Sequence, residues 1–281
     1  MSTIFPPFDP DDRPGRLRVR QLTQIPIRLI IPNLVTLTAL CAGLTSIRMS
    51  IEGRYDAAIA AIAIAAFLDA IDGRVARLLK STSRFGAELD SLTDFVNFGV
   101  APAILLYVWA LAEVRSLGWI AALVFAICAA LRLARFNVAL ENPNKPEWQG
   151  NFFVGVPAPA GAMTALLPIY MEFIGAPHGF WTAPVVLVYT LGIGLLMVSR
   201  VPTWSGKLIG RHISRDMVLP TFVLFVLAAA FLVSFPWETM TVLSLAYLAT
   251  LPLSWNSWHH QMRTAGMREA SVNRHDDKDA P

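Results

Sequence analysis

Apolar positions in this chain come in long uncharged runs, not in the alternation of a half-buried strand or the single stripe of a surface helix. Seven runs free of Lys, Arg, Asp and Glu stand out: Leu29 to Ile47, Phe95 to Ala112, Ser116 to Leu131, Gln149 to Met171, Phe173 to Ser199, Met217 to Trp237 and Thr239 to Gln261. Most approach the roughly 20 residues that a helix needs to cross the hydrocarbon of a bilayer. Another stretch, Ala57 to Leu68, is uncharged for only 12 residues before Asp69 interrupts it. It can cross only if the charged segment that follows continues the helix at the membrane edge. Counted that way, the pattern predicts an all-α, polytopic transmembrane helix bundle of about eight spans.

Composition agrees. Hydrophobic residues make up 55% of the 281 and charged residues only 15%, against about 25% charged in a soluble domain. Mean hydropathy is +0.52. Disorder and a disulfide scaffold are excluded; Cys41 and Cys128 both fall in apolar runs and read as small reduced core residues.

The few charges are unevenly placed. Eight spans put both termini on one side, together with the connections near residues 74–84, 132–147 and 200–216. That side collects 20 of the 23 Lys and Arg residues, leaving only Arg48, Arg54 and Arg115 opposite. Such a bias marks the crowded face as cytoplasmic. It also accounts for the net charge of +3 without a nucleic-acid partner. Residues 1–28 read as a basic cytoplasmic leader suited to lying along an anionic membrane surface, 29–258 as the membrane domain, and 259–281 as a polar, disordered cytoplasmic tail. His259 and His260 read as an incidental pair, and Trp109, Trp119, Trp181 and Trp237 as interfacial belt residues. Pro157 and Pro159 are candidates for breaking the span from Gln149 to Met171.

The densest chemistry lies between Phe67 and Ala103. Asp69 and Asp72 stand three apart at the end of one helix, Asp90 and Asp94 four apart at the start of the next. Both spacings keep a pair on one helix face. Across a short connection the two helices are antiparallel neighbours, which brings four carboxylates to one membrane depth. Ionised carboxylates near hydrocarbon cost several kcal/mol each, and three arrangements meet that cost. One is salt bridges to Arg74, Arg77 and Lys80; another is a proton or ion relay. The third is divalent metal: four acidic oxygen donors without His or Cys form a hard site for Mg²⁺ or Mn²⁺, and Ca²⁺ also suits it. Two such ions would clamp a phosphate or pyrophosphate.

Written as a pattern, the segment is D-x2-D-G-x2-A-R-x8-G-x3-D-x3-D, carried by Asp69, Asp72, Gly73, Ala76, Arg77, Gly86, Asp90 and Asp94. It resembles the signature of the CDP-alcohol phosphatidyltransferase family at all eight positions. The resemblance implies that the four aspartates bind the metals and that Asp94 is also the general base. It further implies that Gly73, Ala76, Arg77 and Gly86 hold the cytidine diphosphate of the donor, CDP-diacylglycerol, helped by Ser83 and by Asn33 at the mouth of the first span. A six-helix family core would make two of the eight spans an addition. A homodimer in the bacterial inner membrane, with its site on the cytoplasmic side, is expected on the same grounds.

Further segments, Glu88 to Ala103, Arg132 to Asn137, Phe153 to Ala160 and Leu196 to Lys207, are similar to the bacterial family members whose acceptor alcohol is serine. That likeness implies transfer of the phosphatidyl group to the serine hydroxyl, yielding phosphatidylserine and CMP; glycerol 3-phosphate is the alternative acceptor. Serine is a zwitterion, so its pocket needs a cation for the carboxylate and an acceptor for the ammonium. Arg132 and Arg135 are candidates for the first and Glu88 for the second. Anchoring of a helix end at the headgroups is the competing role for the arginines.

Overall fold

The computed structural model describes residues 27–79, 83–140, 152–204 and 217–255. The leader, the tail with His259 and His260, and Lys80 lie outside the described residues. Eight helical rods account for most of what is described. They are α1 (Ile27–Ile51), α2 (Tyr55–Leu78), a rod joining α3 (Arg84–Asp94) to α4 (Ala101–Trp109), α5 (Ser116–Leu140), a broken rod of α6 (Ala158–Ala165) and α7 (Leu167–Phe173), α8 (Thr182–Val198), α9 (Val218–Ser234) and α10 (residues 236–255). Three of them, Ile30–Ile51, Arg84–Trp109 and Ser116–Ala139, are long and apolar enough to cross a membrane by length and composition.

Why α1 and α2 pack is legible in their small residues. On α1 the buried positions Pro32, Thr36, Ala39, Gly43, Ser46 and Ser50 recur at alternating spacings of four and three, the seam of a close helix pair. On α2, Ala58, Ile62 and Ala65 are buried at the same spacing. Continued without change of phase, that α2 stripe reaches Asp69, Asp72 and Ala76. The charged segment is therefore an extension of α2, and the helix of 24 residues is about 36 Å long. The uncharged 12-residue run was short because the helix changes chemistry, not because it ends.

The third rod begins at Arg84, eleven residues before its uncharged run. Its continuity is broken once, by a π-helical turn at Phe95–Val100 that follows Asp94 directly. Asn97, in that turn, is fully buried against α1, where a Cβ on Gly43 would collide with its side-chain oxygen. Beyond the turn, Leu105 and Leu106 join Ile62, Phe125, Leu166, Ile169, Tyr170 and Met197 in the principal buried cluster. A smaller cluster of Phe98, Leu133, Ala158 and Ala162 lies next to the turn.

Three expectations need correction. Pro157 and Pro159 do not interrupt a span. They start one: Pro157 is the N-cap of α6 and Pro159 sits in its first turn, where a missing N–H costs nothing. The break comes at Leu166, ahead of Pro168. Trp109 is buried, and Trp237 packs on Phe173 with ring centroids 4.6 Å apart; only Trp119 and Trp181 are exposed in the manner of belt residues. Cys128 is in the core, whereas Cys41 is exposed on α1, and neither is paired.

A feature that helical periodicity does not show is a two-stranded antiparallel ribbon, β1 (Phe152–Val154) with β2 (Pro202–Trp204). Just past it, Gly155 has φ +78°, and a Cβ there would strike the carbonyl oxygen of Met197. The Gly155 N–H donates to the Val201 carbonyl at 2.8 Å, and the Thr203 hydroxyl donates to the Gly155 carbonyl at 3.0 Å. Two segments noted separately in the sequence are thus one structure.

α9 is exposed along its described length, with Leu219, Phe222, Leu224 and Val233 all open. A soluble monomer does not tolerate such a surface; lipid does. The hydroxyls of the helices follow the same logic. Thr38, Thr45, Ser50, Ser91, Thr164, Thr221 and Thr241 each donate to the carbonyl four residues back, which satisfies them where water is scarce.

Between α7 and α8, outside the helices, His178 bridges two carboxylates. Its Nδ1 lies 2.6 Å from Glu172 and its Nε2 3.4 Å from Glu113, tying this loop to the turn before α5. The hydrogen bond to Glu172, aided by Glu113, raises the imidazole pKa above its ordinary value despite the opposing effect of burial. A raised folded-state pKa means that the contribution is present in full below the unfolded value of about 6.5 and is lost as pH rises through the folded value. His178→Gln should therefore lower the melting temperature at pH 6 and converge with wild type at pH 9; a pH-independent difference would refute the bridge.

Candidate active site

Three carboxylates converge as the spacing predicts. One oxygen from each of Asp69, Asp72 and Asp90 lies within 4.8 Å of the others, and the Asp94 carboxyl meets that of Asp69. α2 and α3 run in opposite directions, so the four form two layers. Asp72 and Asp90 make one layer; Asp69 and Asp94 lie one helical turn, about 5 Å, further in. Asp72 is held by α1: the Thr36 hydroxyl donates to its Oδ2 at 2.9 Å. Asp94 Oδ1 is buried without a hydrogen-bond partner.

Such a cluster requires positive charge. Among the described residues no ion pair joins Arg74 or Arg77 to any of the four aspartates; the salt-bridge arrangement is not what these two arginines do. Hard oxygen donors in mutual reach, with a buried carboxylate oxygen left unpaired, fit a divalent cation.

Beside the outer layer is a cavity of about 370 Å³ lined by Pro32, Asn33, Thr36, Asp72, Gly73, Ala76, Arg77, Ser83, Gly86, Ala87 and Asp90. All six residues assigned to the donor, Asn33, Gly73, Ala76, Arg77, Ser83 and Gly86, line it. Asp69 and Asp94 do not. Ser83 has a second role, as N-cap of α3, its hydroxyl accepting from the Gly86 N–H at 2.9 Å. Gly86 is small for a packing reason: a Cβ would come within 2.9 Å of Asn33 Oδ1 and 3.0 Å of Ser83 Oγ. Gly73 has nothing within 4 Å of a Cβ, so packing does not require a glycine there.

The acceptor candidates separate. Glu88 is exposed and does not line the cavity. Arg135 is exposed and donates to the Val198 carbonyl at the end of α8, 2.6 Å away, fastening α5 to the ribbon side of the bundle. Arg132 is only 8% exposed, stacks over Phe136 at 5.1 Å, leaves Nε unpaired, and is in charge-interaction range of Asp94. Asn137 donates to Ser91 Oγ at 2.8 Å and ties α5 to α3.

Sequence reasoning missed Thr36, Ala87 and Asn137. Thr36 had a signal, since it lies one turn after Asn33 and Pro32 on the buried stripe of α1. Asn137 had one too, as the last residue of a segment already singled out for its arginines.

The fold and its carboxylate cluster define a helical membrane protein with an acidic site beside a cavity, and the sequence comparisons say which family builds such a site. Residues 29–197 match the CDP-alcohol phosphatidyltransferase family and residues 216–252 a group described as CDP-alcohol phosphatidyltransferase 2; the chain belongs to the CDP-alcohol phosphatidyltransferase family. The first match covers the first six rods and the second the last two. A Mycobacterium leprae protein named CDP-diacylglycerol–serine O-phosphatidyltransferase is 41% identical over 244 residues, 86% of this chain and 78% of its own. A Helicobacter pylori protein of the same name is 30% identical over 80% of this chain and 91% of its own. An archaetidylserine synthase from Methanothermobacter thermautotrophicus is 32% identical over 62% of this chain and 69% of its own.

The two glycines give a direct test of the cavity. Gly73→Ala should hold or raise thermal stability, by up to about 1 kcal/mol from helix propensity, while weakening CDP-diacylglycerol binding. Gly86→Ala should weaken binding as well, by displacing Asn33 and Ser83. Unchanged donor affinity in both variants, measured by titration of the detergent-solubilised protein, would remove the nucleotide from this cavity.

Proposed function

We propose that this protein transfers the phosphatidyl group of CDP-diacylglycerol to the hydroxyl of L-serine, giving phosphatidylserine and CMP, at the cytoplasmic face of a bacterial inner membrane. The observation that carries the reading is the cavity: every residue assigned to the donor lines it, and its wall includes two of the four converging aspartates. The names of the relatives support serine as the acceptor. The basic residues, 20 of 23 on one predicted side, support the cytoplasmic placement.

Asp69, Asp72, Asp90 and Asp94 would hold divalent metal, with Mg²⁺ or Mn²⁺ favoured by the all-oxygen donor set, Ca²⁺ also compatible, and two ions matching the four carboxylates. When bound, the metal supplies charge for the phosphate oxygens and lowers the barrier to ionising an alcohol. The chain's own groups do the rest. Thr36 fixes the orientation of Asp72. Gly73 and Ala76 leave room for the nucleotide, and Arg77 offers it positive charge. Asn33, Ser83 and Gly86 form the opposite wall from α1 and α3. Asp94, with one unpaired oxygen and no part in the donor cavity lining, takes the proton from the serine hydroxyl as that oxygen attacks the diacylglycerol-linked phosphorus. The phosphorus–oxygen bond to CMP breaks, and CMP leaves with the electron pair. Arg132, buried next to Asp94, is the cation for the serine carboxylate; Arg135 and Glu88 stand further out.

Membranes containing the protein should release CMP from CDP-diacylglycerol when serine is added and not when glycerol 3-phosphate is added. Asp94→Asn should lower that rate by about 10²-fold or more with the fold and donor binding retained. CMP release with glycerol 3-phosphate alone would reassign the acceptor, and full activity in Asp94→Asn would remove the base.

A further inference from the structure

α10 turns a polar stripe inward. Thr241, Ser244 and Ser254 are buried, Tyr247 lies half-buried between them, and all four recur at helical spacing. Polar groups on the inner face of a membrane helix are costly unless they bond to something. Thr241 bonds to its own helix. Tyr247 cannot, because its hydroxyl stands at the far end of a ring, and that hydroxyl is buried without a hydrogen-bond partner. Other buried tyrosines manage: Tyr189 donates to the Thr164 carbonyl at 2.7 Å, and the Tyr170 hydroxyl reaches Met163 Sδ at 3.8 Å.

Two further unpaired atoms share this neighbourhood. Arg132, whose Nε has no partner, lies in charge-interaction range of both Asp94 and Tyr247, and Asp94 contributes its unpaired Oδ1. The Thr203 hydroxyl of β2, which donates to the Gly155 carbonyl, stands within hydrogen-bonding reach of the Tyr247 hydroxyl without closing a bond of good geometry. A phenol O–H, a guanidinium N–H and a carboxylate oxygen, each buried with no well-formed hydrogen bond inside the protein, form the complement of an amino acid with a side-chain hydroxyl. They belong to α10, α5 and α3, whereas the donor cavity is lined from α1, α2 and α3.

We propose that Tyr247 is a specificity-determining residue for the acceptor: its hydroxyl and the Arg132 guanidinium together bind the acceptor's carboxylate, on the flank of Asp94 away from the donor cavity. This rests on the serine-transfer reading. It assigns a task to α10, which lies beyond the six rods of the first family match.

The test is Tyr247→Phe in the full-length protein, which removes one oxygen. Losing a hydrogen bond to a charged group should raise the KM for serine about 10-fold or more. The kcat at saturating serine and the KM for CDP-diacylglycerol should stay near wild type. Because the hydroxyl's internal contact is only the loose one with Thr203, the variant should melt close to the wild-type temperature, yet lose the upward shift that serine confers on wild type. An unmoved serine KM, or an undiminished serine-induced shift, overturns the proposal. So does a variant that fails to fold, since the hydroxyl would then be structural. Wild-type protein that releases no CMP with serine would instead sink the function reading, and this inference with it.

Discussion

Everything in this molecule is arranged around one expensive act, the convergence of four carboxylates at the end of an apolar helix bundle. Each negative charge disfavours its neighbours, and a low-dielectric surrounding magnifies the repulsion. Such a site persists only when cations enter or protons stay. The surrounding structure prepares for the first. α1 supplies a hydroxyl that orients Asp72, small side chains let α1 and α2 approach, and the adjoining cavity gives a phosphorylated ligand access to the charge.

The carboxylates also divide the space around them. On one flank stands the cavity proposed for the nucleotide, walled by the first three rods. On the other stand Arg132, the ribbon and α10. Asp94 belongs to the second flank through its neighbours and to the first through Asp69. A group transfer from a lipid-linked nucleotide to a small polar alcohol needs this kind of geometry, in which two unlike substrates approach a shared set of charges from different sides. The cost of ordering the site is met by the rods, whose packing is apolar and largely independent of it.

Much of this was legible in the sequence, and the reasons are specific. Helices in lipid announce themselves by uncharged length, which gave the number of rods. The D-x2-D and D-x3-D spacings stated which helix faces the acids share, and the structure adds that the first pair continues the small-residue stripe at Ala58, Ile62 and Ala65. What was not legible depended on contacts between distant segments. The ribbon of Phe152–Val154 with Pro202–Trp204 is too short to have a period, and its pairing joins residues about fifty apart. Arg132 and Arg135 look equivalent in sequence, yet one faces the acids and the other binds a helix end, because three residues turn a helix by about 300° and place neighbours on a stripe against different partners. The roles of Pro157 and Pro159 were reversed for a similar reason: proline starts a helix as readily as it ends one, and only the flanking ribbon decides which.

The π-helical turn after Asp94 has a mechanical consequence. One additional residue rotates the helix that follows by about 100° relative to an uninterrupted one. The third rod must aim Asp90 and Asp94 at the aspartates of α2 and then bury Leu105, Leu106 and Trp109 in the core, two tasks whose directions a uniform helix would lock together. The wider turn acts as a phase adjuster between them. Chemistry at one end and anchorage at the other are thereby set by separate stretches of the same rod, so the core can be repacked without turning the acids away from one another.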